Sequence, residues 1–559
     1  MAASPTPHAE ILNQCVPILA EQGIELVVNE YSDYVVPNTA VEDGDEDANY
    51  FQHLPYLEEF NETRGTHLVS VAGVHIEPMG IYAGRVSSLE DLPDSAVIAV
   101  PNDATNEGRA LLLLEAQGLI TLDYFEEVNR MYTTREAIEE AKRCLHCKVP
   151  QCRKGCPIEN NIPDFIHELS KGNMGEAMTI LHEKTNLPAI CGRVCPHEKQ
   201  CEGHCVLGRK GNPVRVGKLE SFIAQFDAEM NLTHERIPEK TRGKVAVIGS
   251  GPAGLTVAGD LARQGFNVTI FEGQPELGGV LMYGIPEYRL PKAVVRNEVK
   301  RIEALGVHFV TNCLVGSPES KVTIDSLFAQ GFDAIFMGTG TALPQNLNIP
   351  GANLRRVTQS TDFLHNVNAY VEGAMPYEMV PLRKGDRVAV IGGGNVAMDA
   401  ARTARRLGAD VTVIYRRTQE EMPAIKSEYD DAVKEGVKFM WKTNSIEFLG
   451  NDKGRVRAIR LSIPEGEHTV EFDRVFLAIG SRPANRIVST TTGIEVDEKG
   501  YVIVGQRPMG MTTRRGVFAG GDVVHRPQTV VLAMKAAKEV ALGIAQYVDA
   551  IKLLEDCGE

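Results

Sequence analysis

KVAVIGSGPAGLTVAGDLARQGFNVTIFEG, residues 244–273, reads in four steps. An apolar, β-branched run suited to a buried strand leads into a G-x-G-x-x-G turn at Gly249, Gly251 and Gly254, then a helical stretch, then a second strand ending at Glu272. The first glycine permits a tight turn, the second lets backbone approach a pyrophosphate, and the third lets helix and strand pack, with the helix N-terminus facing the phosphate charge. Glu272 stands where a carboxylate can accept ribose hydroxyls. The stretch therefore predicts a doubly wound α/β dinucleotide domain.

The pattern recurs at RVAVIGGGNVAMDAARTARRLGADVTVIYRR (387–417), with Gly392, Gly394 and Ala397 in the three positions. Alanine is an accepted third member. Here the acid at the end of the second strand is missing, and Arg416 and Arg417 stand in its place. Guanidinium forks bind a 2′-phosphate bidentately, where a carboxylate would repel it. An acid at one turn and arginines at the other imply FAD at the first and NADPH at the second. GVFAGGDVV (516–524) reads as a buried strand ending in Gly520-Gly521-Asp522, where Asp522 is placed to accept hydrogen bonds from a polyol such as ribitol. DAIFMGTG (333–340) and RVFLAIGSRP (474–483) are the expected crossings between an FAD domain and an NADPH domain inserted in it.

Eight of the 11 cysteines lie between 144 and 205, spaced C-x2-C-x4-C-x3-C (Cys144, Cys147, Cys152, Cys156) and C-x3-C-x5-C-x3-C (Cys191, Cys195, Cys201, Cys205). Such a framework holds either metal or disulfides. With no export signal, thiols stay reduced, which disfavours disulfides. Zinc remains an alternative, with His146, His197 and His204 as substitute ligands. Iron–sulfur is the better fit, because cubane clusters take thiolates from short loops and a proline often follows the last cysteine of a run, as at Cys156-Pro157 and Cys195-Pro196. In two-cluster folds of this kind the last cysteine of the first run crosses to the other cluster, so the ligand sets should interleave. Between the runs, Ile162, Phe165, Ile166 and Leu169 share one helical face, which reads as core packing.

At about 150 residues per domain, 559 residues make roughly four domains. The 52 glycines exceed the roughly 7% expected, in keeping with two glycine-rich turns. Residues 1–120 hold 20 Asp and Glu against three Arg and no Lys, whereas the other 439 hold 54 acidic and 55 basic residues. The chain thus reads as two sources joined near residue 120. The acidic run VEDGDED (41–47) reads as a solvated loop and argues against nucleic acid as a partner. No apolar run approaches the roughly 20 residues of a membrane span, and MAASPTPHAE lacks the form of a signal peptide, so the expected compartment is the cytoplasm.

AKRCLHCKVPQCRKGCP, AICGRVCP, CEGHCVLG, VIGSGPAGL, LGGVLMYGIPEYRLPK, VIGGGNVAMD, YRRTQEEMPA and GVFAGGDVV follow one another in the order of a known family. On these motifs residues 125–559 closely resemble the small (β) subunit of glutamate synthase. Its relatives include the flavoprotein subunit of electron-bifurcating ferredoxin:NADP oxidoreductase and the N-terminal half of dihydropyrimidine dehydrogenase. The resemblance implies one [4Fe–4S] cluster on Cys144, Cys147, Cys152 and Cys205, and a second on Cys156, Cys195, Cys201 and a non-cysteine ligand that falls on Glu220. Cys191 is then a family position without a ligand role, and Gly279 of LGGVLMYG joins the FAD contacts.

PTPHAEIL, SDYVVPN, DANYFQHLPYL, VAGVHIEPMGIY and PNDATNEGRALLLLEAQGLI resemble the NlpA/MetQ family of methionine-binding lipoproteins, with His75 and Arg109 at positions that face the amino acid. The family's signal, first strand and later half are missing, so this segment reads as a truncated, fused module, with an amino-acid sensor as the alternative. The implied architecture is α/β. A partial periplasmic-binding-protein-like module spans 1–122, a helical two-cluster domain 123–237, a doubly wound FAD domain 238–358 and 476–559, and an inserted NADPH domain 359–475. The implied function is NADPH-linked electron transfer to a glutamate synthase large subunit that forms glutamate; the alternative is a ferredoxin:NADP flavoprotein subunit of the bifurcating type with a ferredoxin-type acceptor, and an oligomer is compatible with both. Hydride transfer to a flavin needs no general acid, so no catalytic side chain is named. Neither a glutamine amidotransferase nor an FMN-barrel motif is present.

Overall fold

The run KVAVI is buried on both faces because it forms the strand Gly243–Ile248, inside a seven-stranded sheet. The strand order is Val504–Gln506, Met509–Thr512, Val517–Ala519, Ala334–Met337, Gly243–Ile248, Phe266–Phe271, His308–Val310. The last five are parallel, and a parallel sheet needs cover on both faces. Val245 and Val247 enter one core with the helices Pro252–Arg263 and Val530–Asp556, whereas Ala246 and Ile248 enter the other with Ile324, Leu327 and Phe332. The period of two along the strand thus divides the domain into its layers. This structure is a computed structural model and describes residues 1–559 except 76–78, 83, 85, 87, 90, 94, 95, 102, 103, 121, 123, 318–320 and 557–559. Cys557 and part of VAGVHIEPMGIY lie outside the described residues.

A second sheet repeats the logic, all parallel, in the order Lys438–Met440, Asp410–Ile414, Arg387–Ile391, Arg474–Leu477, Val357–Gln359. Val388 and Val390 face the helix Asn395–Arg406, and Ala389 and Ile391 face an antiparallel ribbon of Asn444–Gly450, Val456–Ile463 and Gly466–Glu471. The two chain crossings pair with each other, Leu343–Pro344 against Ser481–Arg482. The borders expected at 358/359 and 475/476 therefore shift, because they cut through strands of the second sheet. A strand belongs to the sheet it pairs with, and pairing partners far apart in sequence leave no local sign.

The cysteine-bearing segment is helical: Thr134–Lys142, Gln151–Gly155, Ile162–Ser170, Met174–His182, Pro188–Val194 and Val216–Met230. Thr133 and Glu136 close a reciprocal capping box at the first of these. Ile162, Phe165, Ile166 and Leu169 are buried together in its core, as their spacing required.

The chain divides into two compact units, residues 1–123 and 124–559. The first carries a small parallel sheet, Asn29–Glu30, Ala2–Ala3, Asn49–Tyr50, with the helices Glu10–Ala20, Val36–Glu42, Leu54–Arg64 and Ala104–Ala116. Among the described residues Ala3, Ala9 and Leu12 form a small buried apolar cluster, and Phe51, Leu57, Phe60 and Leu114 are buried outside it. Val71 and Val97 are 92% and 98% exposed, which shows how little apolar surface this unit covers. Among the described residues no helix is long and apolar enough to cross a membrane.

Candidate functional site

The glycine turn after Gly243–Ile248 is tight where chain meets chain and open where a ligand would lie. Gly249 has φ +97°, and a Cβ there would stand 2.7 Å from the Gly338 carbonyl oxygen. A Cβ on Gly254 would stand 1.9 Å from the Gly249 carbonyl oxygen, a distance no side chain tolerates. At Gly251, by contrast, a Cβ would meet nothing within 4 Å. That is the pattern needed for backbone to approach a pyrophosphate at the start of Pro252–Arg263. Two further turns close on the same helix start. A Cβ on Gly279 would lie 3.0 Å from Gly251 Cα, and one on Gly521 would lie 2.9 Å from Ala253 Cβ. Asp522 follows directly, its carboxyl pushed up by burial and pulled back by the Gln528 backbone N–H.

Glu272 sits at the end of Phe266–Phe271 with part of its bonding capacity already in use. Its Oε2 accepts from the Ser250 N–H at 2.9 Å and the Ser250 hydroxyl at 2.6 Å, and its Oε1 accepts from the Gln274 N–H at 2.9 Å. Each carboxylate oxygen has about two lone-pair sites, so Oε1 is the one left with room for a ribose hydroxyl. Ser250 also accepts from the Gly278 N–H at 3.0 Å, tying the phosphate turn to the LGGV turn. Ser250 carries no signal in the sequence, because it occupies an unspecified position of the G-x-G-x-x-G motif.

The second turn has the same division. Gly392, at φ +140°, would put a Cβ 2.3 Å from the Ala478 carbonyl oxygen, while a Cβ on Gly394 would meet nothing within 4 Å. Ala397 is fully buried against the strand, taking the packing place of a third glycine. Past Asp410–Ile414 the chain exposes Arg416 and Arg417. Neither guanidinium forms an ion pair among the described residues, so both are free to meet a phosphate. Replacing both with alanine should weaken NADPH by roughly 10- to 100-fold and leave NADH nearly untouched, since a charge-assisted hydrogen bond is worth about 1.5–3 kcal/mol. Equal losses for the two nucleotides in a binding titration would make the arginines structural instead.

The cysteines fall into two groups. Cys144, Cys147, Cys152 and Cys205 line one cavity whose other walls include Ile162, Ile166, Leu207, Val214 and Val216. Burial pushes the Cys152 thiol up to about 11 and raises Cys144, with the remaining members of the set close enough for their charges to act on Cys152. In the other group Glu220 acts in the same way on Cys156, Cys195 and Cys201. Glu220 is itself pushed up to about 8 by burial and then by Glu298. Cysteines are free throughout the described residues, which leaves no support for a disulfide framework. Four half-buried thiols spread round an apolar cavity fit a cluster. Cys191 is buried, donates to Met534 Sδ at 3.5 Å, and lies beside Cys195. Geometry alone thus keeps both Cys191 and Glu220 within reach of the second set.

In the first unit His75 Nδ1 meets the Tyr50 hydroxyl at 2.5 Å, and Arg109 bonds Asn106 on its own helix at 2.8 Å.

Comparison with known proteins agrees with this layout. Residues 243–537 match the family model described as pyridine nucleotide-disulphide oxidoreductase, residues 121–232 that of dihydropyrimidine dehydrogenase domain II, 4Fe-4S cluster, and residues 1–149 that of NlpA lipoprotein. The glutamate synthase [NADPH] small chain of Halomonas elongata is 35% identical over 446 residues, covering 76% of this chain and 93% of that one. The small chain of Escherichia coli K12 is 33% identical over 448 residues, covering 76% and 94%. The NAD-dependent dihydropyrimidine dehydrogenase subunit PreT of the same organism is 33% identical over 428 residues, covering 76% and 98%. The chain belongs to the glutamate synthase small-chain family, NADPH-dependent oxidoreductases that join a 4Fe-4S domain to a pyridine nucleotide-disulphide oxidoreductase domain.

Proposed function

We propose that this chain takes electrons from NADPH and delivers them to a partner protein that forms glutamate, using FAD and two [4Fe–4S] clusters. The observation that carries this reading is the pair of glycine turns, one ending its second strand on Glu272 and the other on Arg416 and Arg417. When bound, the flavin accepts a two-electron hydride and the clusters accept electrons singly. On the protein's side, Gly249, Gly251, Gly254, Glu272, Gly279 and Asp522 hold FAD, while Gly392, Gly394, Ala397, Arg416 and Arg417 hold NADPH. Cys144, Cys147, Cys152 and Cys205 hold one cluster, and Cys156, Cys195, Cys201 and Glu220 the other.

The electron exit is assigned to the first of these sets. Beside it Leu145 and Val149 are 60% and 59% exposed, an apolar tip of the kind protein partners cover. Lys142, Lys148, Lys154 and Lys210 are exposed in the flanking segments, so the partner's face is expected to be acidic. The first unit is read as a remnant of a binding module that this electron path does not use.

The purified holoprotein should pass electrons from NADPH to ferricyanide unaided, and glutamine with 2-oxoglutarate should not speed NADPH oxidation until a partner supplies those sites. Glutamate formed by this chain alone would refute the electron-supplier reading. Reduction of ferredoxin at the rate of the dye reaction would make a ferredoxin-type protein the acceptor.

A further inference from the structure

The stretch YGIPEYRLPK, residues 283–292, belongs by chain to the FAD domain, yet three helices of the inserted domain grip it. From Ser360–Val371, the Asn368 side-chain amide donates to the carbonyls of Tyr283 and Ile285 at 3.0 and 3.1 Å, and His365 stacks on Tyr283 with ring centres 4.8 Å apart. From Asn395–Arg406, Asp399 accepts from Arg289 at 2.6 Å, while Arg402 and Arg406 set their guanidinium groups over the Tyr288 ring, 5.0 and 4.1 Å from its centre. From Lys426–Lys434, Glu428 pairs with Arg289 Nε at 2.9 Å. Tyr288, Arg289 and Asp399 are 0%, 5% and 4% exposed, so these contacts are made out of water. Behind them Lys292, fully buried, donates to the carbonyls of Ile285 and Leu290 at 2.5 and 3.2 Å and folds the stretch back on itself.

A second grip comes from the cluster domain. The Ala424 N–H donates to the carbonyl of Gly393, inside the NADPH turn, at 3.1 Å. The Ala424 carbonyl accepts from Lys199 at 3.3 Å, and the Lys426 N–H donates to Glu198 at 2.7 Å. Lys199 and Glu198 lie in the loop between Cys195 and Cys201. The chain crossings themselves are short, two residues pairing with two. Swinging the inserted domain would part Arg289 from Asp399 and Glu428 and leave uncompensated charges in a dry interface.

We propose that Tyr288 and Arg289 are positioning residues for the hydride step: they hold the NADPH domain at one fixed angle to the FAD domain, so that the nucleotide is presented to the flavin without domain rotation. This rests on the NADPH-to-flavin reading above. Nothing in the glycine motifs requires it. Reactions between two bound groups are sensitive to placement, and a displacement of about 1 Å can cost around 100-fold in rate.

The test uses the full-length holoprotein. Stopped-flow flavin bleaching at saturating NADPH gives the limiting rate, and the fluorescence of the chain's single tryptophan, Trp441, gives the NADPH dissociation constant. Arg289→Lys keeps the charge but cannot reach Asp399 and Glu428 with one planar fork, so the limiting rate should fall at least about 10-fold while the dissociation constant stays within about twofold. An unchanged rate, or equal losses in rate and affinity, would overturn the positioning role. If Arg289→Lys does not fold, the wild-type protein still decides: its limiting rate should be indifferent to sucrose-raised viscosity, and a rate falling in proportion to viscosity would reveal the rotation that the proposal denies. If NADPH fails to bleach the flavin at all, the fault lies in the underlying functional reading.

Discussion

Gly254→Ala should yield a chain that folds less stably and retains almost no flavin. The added methyl carbon would stand 1.9 Å from the Gly249 carbonyl oxygen and 3.3 Å from Val247 Cγ1, both in the rigid strand-and-turn framework. No flexible side chain can yield there, so the helix Pro252–Arg263 must move off the sheet. Overpacking of this kind costs about 1–3 kcal/mol and occasionally more. The shifted helix start is also the proposed pyrophosphate site, so the flavin is lost with the packing. Gly251→Ala separates the two effects. Its methyl would meet no protein atom within 4 Å and would occupy ligand space instead. It should therefore lower flavin occupancy while leaving the melting temperature of the flavin-free protein near wild type. Flavin absorbance per chain and thermal denaturation of the apoprotein check both. A Gly254→Ala protein with full flavin would mean that the turn does not bind the pyrophosphate.

The glycine turns that carry these variants were legible in the sequence, for a specific physical reason that sits at their first glycine. A φ of +97° at Gly249 and +140° at Gly392 is open almost only to glycine, so the backbone requirement is written into residue identity. The strands were equally legible, because burial on both faces demands a continuous apolar run. Function entered through Glu272, Arg416 and Arg417, whose positions are set by strand length from the turn. The bonding of Glu272 was not legible: its partner Ser250 is unremarkable in sequence and becomes meaningful only when the two strands lie side by side.

The domain clamp was hidden more deeply. Arg289 and Asp399 are 110 residues apart, and neither lies on a periodic apolar face that would advertise its burial. Within GIPEYRLPK the prolines signal a turn-rich loop, for which an exposed arginine is the ordinary expectation. The insertion borders failed for a related reason, since Val357–Gln359 and Arg474–Leu477 look like continuations of the neighbouring FAD segments until their pairing is seen. Local chemistry is readable along the chain, whereas contacts that cross between domains are decided by topology.

Cysteine replacement should divide the iron content in a way that tests the ligand sets one by one. The two proposed cubane clusters would bring about eight iron atoms per chain, four to each set. Cys147→Ser should remove about half, because Cys147 lines the cavity of the first set together with Cys144, Cys152 and Cys205 and its loss leaves three thiolates. Cys191→Ser should leave iron unchanged, if Glu220 completes the second set. The structure makes this a sharp comparison: Cys191 and Glu220 both act on Cys156 and Cys195, and the first is a thiol, the better iron ligand by chemistry alone. What favours Glu220 is its setting. It is a carboxyl buried at 6% exposure, placed among three cysteines, and pushed up to about 8 by burial and then by the nearby Glu298. An uncompensated buried carboxylate is costly without a partner charge, and a bound iron would supply one. Cys191 has a satisfied position as a donor to Met534 on the long C-terminal helix. If elemental analysis found half the iron missing from Cys191→Ser and all of it present in Glu220→Ala, Cys191 would be the fourth ligand and Glu220 a buried acid kept for another purpose.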